Sequence, residues 1–70
     1  MNANQIGIRI STNGGALEQR FDNMEMHEVK SLAGTEFQKP FVKSVCVFDM
    51  QGVARLFLKK TANGVHREER

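Results

Sequence analysis

The stretch Phe41–Thr61, FVKSVCVFDMQGVARLFLKKT, constrains the fold more than any other part of the chain. Two apolar runs flank Asp49-Met50-Gln51-Gly52, whose Asp and Gly suit a tight turn. The pattern predicts a β-hairpin. With Met50 and Gln51 as a two-residue loop, Asp49 faces Gly52 and Phe48 faces Val53. The same register sets Val47 against Ala54, Cys46 against Arg55, Val45 against Leu56 and Ser44 against Phe57. Side chains alternate across a strand, so this pairing yields two faces. Phe41, Val45, Val47, Ala54, Leu56 and Leu58 read as core. Ser44, Cys46, Phe48, Val53, Arg55, Phe57 and Lys59 form an outer face that is neither plainly solvated nor fully apolar.

Earlier in the chain, Ile6, Ile8 and Ile10 alternate with Gly7, Arg9 and Ser11, the pattern of a half-buried strand. Asn13-Gly14 predicts a type I′ turn. Closing it sets Ile10 against Leu17, Arg9 against Glu18 and Ile6 against Phe21. Gln19 falls on the apolar side opposite Ile8, which an edge position for its strand resolves, because a long side chain there reaches water. Asp22-Asn23-Met24-Glu25 predicts a helix start, with Asp22 as N-cap and Glu25 at the capping-box position. Met26, Val29 and Ala33 share one helical face with Leu32 beside it, while Met24, His27, Glu28 and Ser31 point away. Gly34 is placed to end the helix in a left-handed cap, with Phe37 tucked under that end.

Met1–Asn4 is expected to be a loose terminus, and after Thr61 the apolar pattern stops. Ala62-Asn63-Gly64 breaks the strand, and residues 62–70 read as a flexible, mixed-charge tail, frayed or weakly helical. The expectation is a two-layer α+β fold, β-β-α-β-β, with a four-stranded antiparallel sheet and one helix on one face. Residues 1–61 form its single domain. Its core comprises Ile6, Ile8, Ile10, Leu17, Phe21, Met26, Val29, Leu32, Ala33, Val45, Val47, Leu56 and Leu58.

At 70 residues the core is thin, and one cysteine allows no internal disulfide staple. No Cys/His cluster has zinc spacing, no run is apolar enough to span a bilayer, and no leader pattern is present. A soluble cytoplasmic protein without metal or cofactor is the expectation. The net charge of +2 is too small to announce nucleic-acid binding. Its distribution is uneven: residues 1–40 sum to −1 and residues 41–70 to +3.

No acid–base, nucleophile or metal constellation stands out, so no enzyme activity is expected. His27 and His66 share no local motif with Cys46, which reads as a small strand residue. Glu25 and Glu28 form an acidic helix surface explained by capping and the helix N-terminus, or by a basic partner. Met24 and Met50 suit an adaptable contact surface, although scattered single apolar residues are common. The outer face carries most of the functional signal. Phe48, Val53 and Phe57 there, with Arg55, Lys59, Arg9 and Arg20, describe an apolar patch rimmed by charge, as at a protein interface. Rings among cations also describe a single-stranded nucleic-acid binder, the alternative reading.

A short, cysteine-poor chain with a helix near Asp22–Ala33 and then the hairpin Phe41–Thr61 resembles the small inhibitors that bacteriophages encode against host machinery, anti-CRISPR proteins being the nearest comparison. The resemblance is one of architecture, covers most of the chain and rests on no shared motif. It implies steric or electrostatic blocking of a larger host complex, such as a CRISPR effector, without catalysis. It assigns a role to no residue. The expected partner is therefore a protein, either a larger complex or a second copy.

Overall fold

A computed structural model describes residues 5–70; the loose terminus expected over Met1–Asn4 lies outside the described residues. The chain forms β1 (Ile6–Thr12), β2 (Gly15–Phe21), α1 (Met26–Phe37), β3 (Val42–Phe48), β4 (Ala54–Thr61) and β5 (Gly64–Glu69). The strands make one sheet in the order β2-β1-β3-β4-β5, every neighbouring pair antiparallel. The class is α+β with a single helix, as expected, but the four strands become five. Residues 62–70, expected as a tail, form a turn and the edge strand β5. All six residues of β5 are exposed, so no burial pattern marks it. It is held by its ladder to β4 and by ion pairs such as Lys30–Glu69 at 2.9 Å.

The β1–β2 register is the expected one, Ile10 against Leu17 and Arg9 against Glu18. Its turn is not type I′, because neither Asn13 nor Gly14 has positive φ; that conformation falls on Gly15, at 142°. Thr12 Oγ1 clamps the turn instead, donating to the Gly15 carbonyl at 3.0 Å and accepting from the Gly14 N–H at 3.2 Å. The β4–β5 turn repeats the device. Thr61 Oγ1 donates to the Gly64 carbonyl at 3.1 Å and accepts from the Asn63 N–H at 3.3 Å.

The β3–β4 hairpin departs from its expected register by two residues: Val47 pairs with Leu56, Cys46 with Phe57 and Val45 with Leu58. Two insertions of one residue each explain this. The loop has three residues, Met50-Gln51-Gly52, since the Asp49 N–H bonds the Val53 carbonyl at 2.9 Å. Gly52 closes it at φ 82°, a value that favours glycine. A bulge at Arg55 then separates the Phe48–Ala54 pair from the Val47–Leu56 pair. A slip of two leaves the side chains beyond the bulge on their faces, so Val45, Val47, Leu56 and Leu58 still face inward. Ala54, expected in the core, is exposed beside Phe48.

A second bulge, at Lys43, lies between the Ser11–Ser44 and Thr12–Val42 pairs. It turns Val42 inward, to 1% exposure, and leaves the expected core residue Phe41 at 53%. The helix also differs at both ends. It begins at Met26 behind a reciprocal capping box of Glu25 and Glu28, while Asp22 instead receives a hydrogen bond from the Gln5 side chain. Gly34 is an interior residue, and the helix runs on to Phe37, which is buried with Val29 and Ala33. Burying a phenylalanine outweighs the roughly 1 kcal/mol that an interior glycine costs.

A helix is about 10 Å wide and strands lie about 4.8 Å apart, so one helix spans only two or three strands. Here α1 packs on β1 and β3. Leu17 on β2, expected in the core, is consequently 69% exposed, and Val65 on β5 is 61% exposed. Leu32 is half-buried rather than central.

Candidate functional site

Among the described residues, nothing covers the sheet face opposite α1. Three rows of side chains cross it from β2 toward β5, as the registers place them. The first holds Arg20, Gly7, Phe48 and Ala54, with the Arg55 bulge beside them, and ends at β4. The second holds Glu18, Arg9, Cys46, Phe57 and Glu68, and the third Ala16, Ser11, Ser44, Lys59 and His66. Of the expected site residues, Arg9, Arg20, Phe48, Arg55, Phe57 and Lys59 therefore share one face. Val53 belongs instead to the mouth of the β3–β4 loop, where it is exposed.

Phe48 is half-buried because its ring lies across Gly7, where a Cβ would collide with it. The guanidinium of Arg20 sits 5.0 Å from the same ring centroid and bonds Glu18 at 3.1 Å. Phe57 is also half-buried, with the His66 ring edge-on at 6.3 Å. A shallow hollow of about 220 Å³ opens between Cys46, Phe57, Arg55, Glu68 and Arg70. Sequence reasoning missed Arg70 and His66 because it read their segment as a tail. The turn Thr61-Ala62-Asn63-Gly64, which runs from Thr to Gly as Thr12–Gly15 does, was the available signal.

Asp49 anchors the lower edge of this face. Its Oδ1 accepts from the Gln51 and Val53 N–H groups, both at 2.9 Å, and its Oδ2 accepts from Arg55 Nε at 2.9 Å. The Val53 N–H, followed by the Arg55 side chain and the Gln51 N–H, holds the carboxyl below its usual range despite partial burial. The folded value lies under the unfolded one, so this stabilisation is complete above about pH 4 and is lost as pH falls through the folded value. Thermal melts of the wild type and Asp49→Asn should therefore differ most at neutral pH and converge in acid. Glu68 and Glu69 are depressed as well, by His66 and by Lys30 with Arg67, but their effect is common to both proteins. A difference that is constant with pH would show that the carboxylate charge is not what holds the loop.

Cys46 is half-buried, and burial pushes its thiol up against the opposing pull of Arg9, so the nucleophilic thiolate is disfavoured. Glu25 and Glu28, the second expected surface, are engaged in the capping box; the Glu28 carboxylate accepts from the Glu25 N–H at 2.9 Å. Glu25 also borders an open depression of about 590 Å³ with Ile6, Met24, Met26, Met50 and Arg70. Among the described residues no group of three or more His, Cys, Asp or Glu is placed to hold a metal ion. No described helix is long and apolar enough to cross a membrane. No family model, curated protein or solved structure matches the chain.

Proposed function

We propose that this chain is a non-catalytic protein-binding module whose uncovered sheet face docks on a larger protein complex and blocks it by contact. The observation that carries the reading is how the two cations that flank Phe48 are spent. Arg20 is held by Glu18 and by the Phe48 ring, and Arg55 is held by Asp49. Groups already bonded to their own chain are poorly placed to collect phosphates. Stacking a base on Phe48 would also require displacing Arg20. What stays available is a half-buried apolar centre, Phe48, Cys46 and Phe57, with the hollow beside it and a mixed-charge rim. A reducing cytosolic setting suits the single thiol at that centre.

Both rings have already left water in part, so covering them fully contributes on the order of 1 kcal/mol each. The anchor is the hollow next to Phe57. Phe57→Ala is expected to weaken partner binding about tenfold or more, and Lys59→Ala about threefold at most. Capture of the partner from the native host, followed by calorimetry on the purified pair, measures both. Sub-micromolar binding to single-stranded RNA, with a log–log salt slope steeper than about −2, would replace this reading with nucleic-acid binding.

A further inference from the structure

We infer that the β2 edge is a self-complementary interface, through which two copies join as an antiparallel pair to make one ten-stranded sheet. This goes beyond the docking face, because it uses the rim of the sheet.

The free backbone groups can be assigned. The Asn13 N–H bonds the Phe41 carbonyl beside β3 at 3.3 Å, so odd-numbered residues of β1 direct their bonds toward β3 and even-numbered ones toward β2. Ile8 and Ile10 therefore exchange bonds with Gln19 and Leu17. Among the described residues, the N–H and C=O groups of Ala16, Glu18 and Arg20 are left along the outer edge. All three side chains are exposed and lie on the sheet face away from the helix.

A two-fold axis through Gln19 pairs these groups and satisfies the side chains as well. Glu18 then lies opposite Arg20 of the second copy, twice by symmetry. On the helix side Leu17 lies opposite Phe21 of the second copy, also twice. This would cover the most exposed of the large apolar side chains, at 69%. The two neighbouring registers fail on charge. Centring on Glu18 sets that carboxylate against itself, and centring on Arg20 sets arginine against arginine and Glu18 against Asp22. Cross-strand opposite charges stabilise an antiparallel pair and like charges destabilise it, so the Gln19 register is favoured over both neighbours.

The topology favours this closed pair over a fibre. With five strands, each antiparallel to its neighbour, β2 and β5 run in the same direction. Pairing β2 with β5 of another copy, helices on one side, would be parallel and slightly less stable per residue. Joining β2 to β2 is antiparallel and closes at two copies. The β5 edge is the less suited of the two, since Glu69 there is already held by Lys30 of the helix at 2.9 Å.

Sedimentation equilibrium on the full chain tests this. The expected result is a monomer–dimer equilibrium whose Kd rises about tenfold with Glu18→Arg or with Arg20→Glu. The double exchange should restore it to within about threefold. Because Glu18 and Arg20 also pair within one copy, crosslinking supplies an independent readout. In a Cys46→Ser background, Gln19→Cys lies opposite itself, close enough for an interchain disulfide, whereas Ala16→Cys faces Asp22 of the second copy. Rapid linking of the first variant and not the second supports the interface. A protein that stays monomeric to about millimolar concentration, a dimer indifferent to both reversals, or equal linking of the two cysteine variants overturns it.

Discussion

Ile8→Ala is expected to cost about 2–5 kcal/mol and to leave much of the protein unfolded near 37 °C. Ile8 is 1% exposed, lies between Gln19 and Val47 across the sheet, and belongs to the same buried cluster as Val29 and Ala33 of the helix. A domain of this size has a total stability of only about 4–10 kcal/mol, so one cavity at its centre consumes a large share. Urea unfolding with an unchanged slope would measure the loss. Leu17→Ala, two pairs along the neighbouring strand, should cost under about 1 kcal/mol, because a side chain 69% exposed leaves no cavity. Equal costs at the two positions would mean that the helix reaches β2.

Lys60→Met should destabilise by about 1–2 kcal/mol while leaving the side-chain stem in place. The Lys60 ammonium donates to the Lys39 carbonyl at 2.8 Å and to the Val42 carbonyl at 2.7 Å, and it lies 5.1 Å from the centroid of Phe37. One cation thus ties β4 to the end of α1 and to the loop that launches β3. Its partial exposure places the expected cost at the low end for charge-assisted bonds. Chemical denaturation reads the total. Amide exchange at Val42, whose N–H bonds the Lys39 carbonyl at 3.1 Å, reads whether the loss begins in that loop. Unchanged exchange at Val42 would mean that the two carbonyls find water without loosening the chain.

What the sequence made legible was whatever alternates. Ile6 and Ile8 in β1, Val45 and Val47 in β3, and Leu56 and Leu58 in β4 lie in the core because a half-buried strand must alternate. The β1–β2 register followed from a turn of two residues, although its backbone conformation did not. Bulges were invisible. The extra residues at Lys43 and Arg55 interrupt alternation without any residue type that announces them, and so Phe41 and Val42 exchange roles. Strand β5 was illegible for a different reason: it buries nothing, and apolar period is the only signal that was read there. The outer face was found through Phe48, Phe57 and their cations. Its inner wiring, with Arg20 over Phe48 and Asp49 gripping Arg55, depends on distances that no spacing rule supplies.

The strand order also decides how the chain finds this arrangement in time. Three of the four ladders, β1–β2, β3–β4 and β4–β5, join consecutive strands through turns of a few residues. Only the β1–β3 ladder closes a long loop, carrying α1 within it and bringing Ile8 to Val47. Local hairpins form in microseconds and gain little until that closure occurs. The rate of folding is therefore expected to depend most on one encounter, the β1–β2 hairpin meeting the β3–β4–β5 meander. Substitutions in the β1–β3 seam are expected to slow folding, and those on the two rims mainly to speed unfolding.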